Sequence, residues 1–359
     1  MMITSPLSVG EPAPWFSAPT GDNSDTLVFD ELAGRYLVLF FFGTIASRPD
    51  VAKVLAALEH HNDLFQRALF LGISNDPDDF NQGRLRQHDT GQLFLLDSSG
   101  MAAKQYGLAD PATAVIASAI HPVAFILSPA LQIIEILPLA DPDGFVERIV
   151  SRLSELLADP PIVQNAPVLL VPLVFDRAFC RELVDLYEAR GGIEIGSIEN
   201  KGKIVERFDP KFRKRLDYYI SDEHALQRAR KLLERRLLPI VYRAFQFPTT
   251  RIERYLVGCY DAETGGYFRP HRDNTAPAVA HRRFALTINL NDEYDGGDLC
   301  FPEFGGQAFR TGPGDAIVFS CSLLHEVTPM TSGRRYAFIT FFYDEQSQKI
   351  RDAYVKKMS

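Results

Sequence analysis

The sequence predicts two domains, an α/β domain followed by an α+β domain that is rich in antiparallel strands. The chain has 359 residues, and about 150 residues per domain is a common size. Strand-like and helix-like segments alternate in the first part, whereas two helical segments and then many short strands fill the second. A Pro-rich stretch at 158–167 separates the two parts. We therefore predict domains at residues 1–157 and 168–359.

The first domain has the element order of a thioredoxin-like α/β fold. Residues 35–43 and 68–74 are continuous apolar runs of strand length, and residues 50–66 between them have helical apolar spacing. Residues 123–137 are readable as two strands around a Ser-Pro turn, and residues 143–160 again have helical spacing. The order strand, helix, strand, hairpin, helix indicates a thioredoxin-type domain.

The second domain begins with helices and continues as a β structure. Residues 176–191 predict an amphipathic helix with Asp176 as its N-cap and Gly191 near its end, and residues 222–245 predict another helix. Short strands separated by Gly-rich turns follow from residue 250 onward. Many short strands at close spacing indicate a double-sheet jelly roll, also called a double-stranded β-helix.

A candidate metal site lies in the stretch YFRPHRDN, residues 267–274. His271 and Asp273 are two residues apart, so on a strand they face the same side. His325 opens a later strand, HEVTP, which a jelly roll can bring back to the first. Two histidines and one carboxylate on one face of a metal are typical of non-haem Fe(II) oxygenases. Alone, the His-x-Asp pair is weak evidence, because polar residues two apart often form a polar strand face.

An arginine strengthens the prediction. Arg335 stands ten residues after His325 in GRRYAFITFF. A dicarboxylate that chelates iron at one end leaves its other carboxylate inside an apolar barrel, where a guanidinium can bind it with two hydrogen bonds. Strand alternation sends the neighbouring Arg334 to the opposite face, so we choose Arg335.

Residues 166–345 resemble a prolyl 4-hydroxylase-type Fe(II)/2-oxoglutarate-dependent dioxygenase. The resemblance lies in GCYDAETGGYFRPHRDN, YDGGDLCFPEFG and GPGDAIVFSCSLLHEVTPMTSGRRYAF, in the family's order. It implies that His271, Asp273 and His325 bind Fe(II) and that Arg335 pairs with the C5 carboxylate of 2-oxoglutarate. It also implies O2 as cosubstrate and ascorbate as a reductant.

The same resemblance implies further pocket residues. Tyr260 matches a tyrosine near the cosubstrate, and Tyr267 matches one that lines the pocket. Asn289 stands where some relatives carry a tyrosine that binds the carboxylate; Thr287 shares its strand face, and either is a candidate for that contact. The implied reaction hydroxylates an unactivated C–H bond of a peptidyl residue, an amino acid or a small metabolite, with succinate and CO2 as coproducts. Related halogenases replace the carboxylate ligand by a small residue, so Asp273 favours hydroxylation.

The first domain resembles a peroxiredoxin in GEPAPWFSAPTGDN and FFFGTIASRPD. Thr44 is in place, but Ser47 occupies the position of the cysteine that attacks peroxide, and the first cysteine of the chain is Cys180. A serine hydroxyl is scarcely ionised without an adjacent base, so we expect no peroxidase activity. A scaffold, docking or dimerisation role remains, including a homodimer through this domain. Pro122 is a candidate for the cis-proline of thioredoxin folds.

Composition excludes some classes of function. The net charge of −8 and pI near 5.6 argue against sequence-independent binding of nucleic acid or of anionic membranes. The first 34 residues contain no Lys or Arg, and no apolar run reaches membrane-spanning length, so a cytoplasmic protein without membrane association is expected. The four cysteines have no CxxC spacing and are expected to be ordinary reduced thiols.

Two other interpretations stay open at this point. The chain is alternatively a non-catalytic binding or regulatory protein built from two degenerate enzyme domains, or an iron enzyme that does not use 2-oxoglutarate. Residues 199–219 are a candidate lid or substrate loop, and their basic residues favour an acidic substrate. His281 is interpreted as a surface or turn histidine.

Overall fold

A computed structural model describes residues 7–21, 26–85, 91–158, 165–194, 198–200, 203–205 and 211–358. These residues form two compact units: the first comprises the described residues up to Asn165 together with Pro302–Gly305, and the second comprises the described residues of Ala166–Phe301 and Gly306–Ser359. The predicted linker at 158–167 and the candidate lid at 199–219 lie partly outside the described residues. In the described part of the chain, no helix combines the length and the apolar character that crossing a bilayer requires.

The first unit is an α/β structure. Its strands are β1 (Ser17–Pro19), β2 (Thr26–Val28), β3 (Leu37–Gly43), β4 (Leu69–Ser74), β5 (Gln92–Leu96), β6 (Val123–Leu127) and β7 (Ile133–Pro138). Its helices are α1 (Pro49–Leu58), α2 (Asn62–Arg67), α3 (Pro77–Asn81), α4 (Met101–Gln105) and α5 (Pro142–Ala158).

A five-stranded sheet in the order β5-β4-β3-β6-β7 forms the centre of this unit. β3, β4 and β5 run parallel, while β6 and β7 form the predicted antiparallel hairpin. All seven residues of β3 are buried, as its uninterrupted apolar sequence predicts for a strand covered on both faces. The predicted thioredoxin-like fold of this domain is confirmed.

The segment that resembles a peroxiredoxin active site in sequence lies between β3 and α1. Ser47 is exposed in the turn between β3 and α1. The buried Thr44 donates its hydroxyl to Asp76 Oδ2 at 2.8 Å, and the backbone N–H of Ile45 donates to Asp79 Oδ2 at 3.1 Å. The cis-proline prediction is wrong, because the peptide bond before Pro122 is trans. Its backbone carbonyl instead accepts a hydrogen bond from the N–H of residue 139 at 2.9 Å, which closes the hairpin.

The second unit contains the remaining elements. Its strands are β8 (Leu169–Val171), β9 (Ile193–Glu194), β10 (Ile198–Asn200), β11 (Lys203–Val205), β12 (Arg213–Lys214), β13 (Leu216–Tyr219), β14 (Arg251–Ile252), β15 (Leu256–Asp261), β16 (Tyr267–His271), β17 (Phe284–Asn289), β18 (Tyr294–Gly296), β19 (Leu299–Cys300), β20 (Ala308–Phe309), β21 (Ala316–Ser320), β22 (His325–Val327) and β23 (Met330–Tyr343). Its helices are α6 (Arg177–Arg190), α7 (Glu223–Leu232), α8 (Leu238–Phe245) and α9 (Glu345–Met358).

Two antiparallel sheets build the predicted jelly roll. The larger sheet has the order β8-β21-β17-β23-β15-β13-β9, and β14 and β18 add to β23. The smaller sheet has the order β12-β16-β22-β19-β20. Helices α6 and α7 pack on the larger sheet in one hydrophobic core, which contains Phe179 and Leu183 of α6, Ala225 of α7 and Leu286 and Phe338 of the strands. The fold class predicted for this domain is confirmed.

The helix ends follow the sequence signals. Asp176 caps α6 by accepting a hydrogen bond from the N–H of Phe179 at 2.9 Å, and Gly191 ends the helix with a φ of 72°. The predicted helix over 222–245 contains a π-helical turn at Leu233–Leu237. Pro239 follows that turn, and because proline has no N–H it cannot complete the regular α-helical ladder there.

Strand alternation decides which side chains of the larger sheet reach the site. On β17, Leu286 and Ile288 belong to the core under the helices. Thr287 and Asn289 are also buried, and alternation directs them to the other face of the sheet. β23 pairs with β17 on one side and β15 on the other, so Arg335 and Tyr260 lie directly opposite each other. This face of the larger sheet carries the polar residues of the candidate site.

Candidate metal centre

The three predicted metal ligands meet where β16 and β22 pair. His271 is the last residue of β16 and His325 is the first of β22, and the two are directly paired across the ladder. Asp273 follows two residues after His271, and its N–H donates to the carbonyl of Cys321 at 2.9 Å. Antiparallel pairing thus joins a histidine to a His-x-Asp motif that is more than 50 residues away in the sequence.

The distances between these side chains suit one shared cation. His271 Nε2 lies 3.6 Å from Asp273 Oδ1, and His325 Nε2 lies 3.4 Å from Asp273 Oδ2. One ligand atom from each residue falls within 4.8 Å of the others. Both histidines are buried. Donors at this spacing can bind the same metal ion without large movement.

Backbone carbonyls fix the orientation of both imidazoles. His271 Nδ1 is 2.8 Å from the carbonyl of Arg269, and His325 Nδ1 is 3.0 Å from the carbonyl of Leu323. A carbonyl only accepts, so each Nδ1 must be the protonated donor. In the neutral imidazole, Nε2 then carries the lone pair that faces Asp273. Two neutral imidazoles and one carboxylate are the donor set that non-haem Fe(II) sites use, so the residues present fit that ion.

The electrostatics favour the same protonation states. Burial lowers the pKa of His325 to about 4, and the neighbouring His271 adds to that effect. Burial alone would raise the pKa of Asp273, but the imidazoles of His325 and His271, whenever they are protonated, and the guanidinium of Arg282 hold it well below its usual range. At neutral pH, Asp273 is therefore ionised and His325 is neutral, as metal binding requires.

Aromatic rings pack against both histidines. Phe268 stacks on His271 with ring centroids 3.6 Å apart, and Phe319 lies 4.7 Å from His325 in an edge-on arrangement. Phe301 in turn packs on Phe319 at 5.0 Å. These contacts limit rotation of the imidazoles and exclude water from one side of the site.

Arg335 lies on β23, in the larger sheet. It is buried; its Nε donates to Asn289 Oδ1 at 3.1 Å, and its Nη1 donates to the carbonyl of Gly297 at 2.9 Å. Arg334 is exposed and donates to Asp261 Oδ2 at 2.7 Å on the other face. The structure thus places Arg335, and not Arg334, on the face that also carries Asn289.

The other predicted pocket residues differ in their placement. Tyr260 is buried beside Arg335, whose guanidinium carbon is 5.5 Å from the centre of the Tyr260 ring. Thr287 is buried on the strand face of Asn289. Tyr267 is only half-buried, and Arg269 lies 5.2 Å from its ring. Tyr260 and Asn289 therefore contact Arg335, Thr287 lies further along the same strand face, opposite Ile339, and Tyr267 stands at a more open position.

Several residues of the site escaped sequence reasoning. The Gly297 carbonyl binds Arg335, and a Cβ at Gly297 would lie 2.3 Å from the sulfur of Met330. Glu253 binds Arg282 through two hydrogen bonds of 2.8 and 2.6 Å, and Arg282 Nη1 reaches the carbonyl of Asp273 at 3.5 Å. No local motif marks these residues, because their partners are distant in sequence.

His281 corrects an expectation. It is buried rather than on the surface, its Nε2 lies 3.0 Å from Glu253 Oε2, and its ring packs edge-on against Tyr343 at 4.9 Å. The turn that carries it folds back onto the sheet, because Glu253 offers a buried carboxylate there. His281 thus helps to hold Glu253 in place beside the site.

The cysteines match their prediction. All four are free and buried. Burial raises the pKa of the Cys321 thiol, and nearby Asp273 adds to this effect. The thiol is therefore protonated, and Cys321 contributes to the site through its backbone carbonyl, which binds the N–H of Asp273.

Comparison with known proteins gives two family matches. A family model of the 2OG-Fe(II) oxygenase superfamily matches residues 255–343, which include all three candidate metal ligands and Arg335. A model of the AhpC/TSA family matches residues 9–136. The resemblance predicted for each half of the chain is therefore confirmed.

Individual relatives cover less of the chain. A PKHD-type hydroxylase of Saccharophagus degradans is 34% identical over 97 residues, which is 24% of this chain and 41% of the relative. The chain thus spans about two fifths of the length of the curated relatives that it matches. Among solved structures, a Pseudomonas putida prolyl-4-hydroxylase has 17% identity and a TM-score of 0.39, covering 55% of this chain and 99% of that one. Peroxidoxin BcpB from Mycobacterium tuberculosis has 16% identity and a TM-score of 0.34, covering 41% and 96%. The chain thus combines a region similar to the AhpC/TSA family with a region similar to the 2OG-Fe(II) oxygenase superfamily.

Proposed function

We propose that this protein is an Fe(II)- and 2-oxoglutarate-dependent dioxygenase that hydroxylates an unactivated C–H bond. One observation carries the proposal: two correctly oriented imidazoles and a carboxylate converge in a buried site. A buried arginine on the facing sheet, Arg335, accompanies them. The match of residues 255–343 to the oxygenase superfamily supports the same assignment.

In this proposal each residue has a defined task. His271, Asp273 and His325 would hold Fe(II), which when bound supplies the oxidative chemistry that couples decarboxylation of 2-oxoglutarate to hydroxylation of the substrate. Arg335 would bind the far carboxylate of 2-oxoglutarate through a charge-assisted, two-pronged hydrogen bond. Asn289 and Gly297 would hold the guanidinium in the orientation that this contact needs.

The names of similar proteins suggest which classes of substrate to test. The curated relatives are named PKHD-type hydroxylases, and a similar solved structure is a prolyl-4-hydroxylase. A peptidyl residue, a free amino acid and a small metabolite are therefore the classes to test. Ascorbate is proposed as the reductant that keeps the iron in its ferrous state.

The test is succinate release from the purified full-length protein with Fe(II), 2-oxoglutarate, O2 and ascorbate. We expect release in the wild type and none above background in Asp273→Ala. A wild type that binds Fe(II) but forms no succinate with any candidate substrate would favour the alternative, a non-catalytic binding or regulatory protein.

For residues 1–157 we propose a non-catalytic role in self-association or docking. Support comes from the absence of cysteine before Cys180 and from the exposed Ser47 at the position of the attacking thiol. Light scattering of the intact chain tests the homodimer: a mass near twice 40.3 kDa supports it, and a monomeric mass contradicts it.

A further inference from the structure

A second group of arginines lies beside the candidate metal centre. β12 and β13 form one edge of the barrel, where Arg213 pairs with Phe268 of the smaller sheet and Asp217 pairs with Gly258 of the larger sheet. Arg215 lies between the two strands, two residues after Arg213 and two residues before Asp217. Period-two alternation directs these three side chains to the same side. They reach the region between the two sheets.

Asp217 is largely committed to Arg215. Its two carboxylate oxygens accept hydrogen bonds of 2.5 and 2.8 Å from Arg215, and both side chains are buried. Arg215 also donates to the hydroxyl of Tyr260 at 3.3 Å. Arg213 approaches Asp217 only to 3.8 Å, which is longer than a hydrogen bond. Asp217 thus forms a close, hydrogen-bonded pair with Arg215 and only a longer ion pair with Arg213, so the charge of Arg213 is incompletely compensated among the described residues.

Arg254, which lies between β14 and β15, likewise has only a distant carboxylate partner. The carboxylate of Glu253 is taken by Arg282 and His281, and it lies 4.0 Å from Arg254. Arg254 donates one hydrogen bond to the hydroxyl of Tyr219 at 3.2 Å. Its Nε is shielded from solvent and has no hydrogen-bond partner within the described ranges.

These side chains carry an excess of positive charge. The four arginines 213, 215, 254 and 282 face Asp217 and Glu253 and, beside Arg282, the metal-ligand candidate Asp273, so 4 − 3 leaves one positive charge without a bound metal ion. Burial lowers the pKa of Arg213 to about 10, and the neighbouring Arg215 adds to that effect. The chain as a whole carries −8, so this excess is local. Burying unpaired charge is costly, which favours a bound anion.

Two aromatic rings link these arginines to the surroundings of the candidate metal centre. The ring of Phe268 stacks on His271 and lies 5.3 Å from the Arg213 guanidinium and 5.6 Å from that of Arg215. The ring of Phe341 lies 5.3 Å from Arg254 and 3.9 Å from Arg282, which in turn reaches the carbonyl of Asp273. An anion bound by Arg213 would therefore lie near the ring that stacks on His271.

We propose that Arg213 and Arg254 bind a carboxylate of the primary substrate, so that the enzyme acts on an acidic peptide, amino acid or organic acid. This inference rests on the proposed dioxygenase function. It places the carboxylate of the primary substrate at a site separate from Arg335, which remains the partner of 2-oxoglutarate. Two guanidiniums from different segments of the chain can engage one carboxylate from two directions.

The first experiment compares matched substrates on the intact holoenzyme. The pairs are a blocked peptide containing Glu and its Gln analogue, L-glutamate and L-glutamine, and L-proline and L-prolinamide; the readout is succinate release above the substrate-free rate. We expect the carboxylate member to stimulate release, with a KM at least about tenfold higher in Arg213→Gln and Arg254→Gln. Arg251→Gln is the control, because Arg251 is exposed and paired with Glu345. Stimulation by the amide members to the same extent overturns the proposal.

A second experiment does not depend on finding the substrate. Sulfate is titrated calorimetrically, without O2, into the protein loaded with Fe(II) and 2-oxoglutarate. We expect binding in the wild type and in Arg251→Gln, at least about tenfold weaker binding in Arg213→Gln and Arg254→Gln, and partial recovery in Arg213→Lys. Equal sulfate binding in all variants, or no binding in the wild type, overturns the proposal. Failure of the dioxygenase function shows separately, as a wild type that forms no succinate.

Discussion

Asn289 and Arg335 are joined by a hydrogen bond of 3.1 Å between two buried side chains. The Nδ2 of Asn289 donates to the carbonyl of Thr311 at 2.8 Å. The Oδ1 of the same amide therefore faces Arg335. The carbonyl of Gly297 holds the guanidinium from a second direction. The guanidinium of Arg335 is therefore held in one orientation, and such preorganisation reduces the entropy lost when a ligand binds.

Removing this support should weaken cosubstrate binding selectively. For Asn289→Ala we expect about a fivefold higher KM for 2-oxoglutarate, because one hydrogen bond contributes about 1 kcal/mol, and unchanged affinity for Fe(II). The control is Asn291→Ala, since the hydrogen bonds of the Asn291 side chain in the described part of the chain go to the backbone at Tyr336 and Arg334. Equal changes of KM in both variants would contradict an orienting role for Asn289.

Arg335 itself should not tolerate lysine. Arg335→Lys keeps the charge but loses the planar fork, so we expect the KM for 2-oxoglutarate to rise at least about tenfold. Arg334→Lys is the matched control, because Arg334 is exposed and pairs with Asp261. The two variants are compared by succinate release as a function of 2-oxoglutarate. A normal KM in Arg335→Lys would remove the arginine from the cosubstrate site.

Glu253 should contribute strongly to the stability of the second unit. Its carboxylate binds Arg282 and His281 in a buried position. Removal of one partner leaves a buried charge unpaired, so Glu253→Gln is expected to lower the free energy of unfolding by about 3–5 kcal/mol. Urea denaturation measures this value. Glu345→Gln, which breaks only the exposed pair with Arg251, should change it by less than about 1 kcal/mol.

The carboxylate of Glu253 predicts that the stability of the fold depends on pH. Burial would raise the pKa of Glu253, but hydrogen bonds from His281 and Arg282 hold it well below its ordinary value of 4.5. A depressed pKa in the folded state stabilises the fold above the unfolded-state pKa, and this stability is lost as pH falls below it. We expect the wild type to lose stability below about pH 4.5, with a shallower loss in Glu253→Gln. Parallel curves for the two proteins would contradict this.

Restoring a cysteine should not restore a peroxidase. In Ser47→Cys, a thiolate would need a nearby cation, yet Arg48 is bound to Asp50 at 2.8 Å and Arg84 to Asp79 at 2.8 Å. We expect the new thiol to react with an aromatic disulfide over the same pH range as a Ser151→Cys control on the exposed face of α5. A reactive thiolate near neutral pH, with turnover of hydrogen peroxide, would contradict the account of this domain.

The sequence allowed prediction of features that depend on local pattern. The apolar run of β3, the N-cap Asp176 and the alternation that separates Arg335 from Arg334 all follow from neighbouring residues. The His-x-Asp motif belongs to the same group, because its two side chains are positioned by one strand end.

Features that depend on distant contacts could not be predicted. The pairing of Glu253 with Arg282 and the burial of His281 arise only when the turn before β17 folds onto β15 and β23. The trans peptide at Pro122 likewise departs from the family expectation. The incomplete pairing of Arg213 and Arg254 becomes visible only once the positions of Asp217 and Glu253 are known.

The most direct test of the central claim is an anaerobic titration of the purified protein with Fe(II) and 2-oxoglutarate, followed by visible absorption. We predict a charge-transfer band in the wild type that is absent in Asp273→Ala and that needs more 2-oxoglutarate in Arg335→Ala. A wild-type protein that binds Fe(II) but shows no band at saturating 2-oxoglutarate would contradict the assignment of this site.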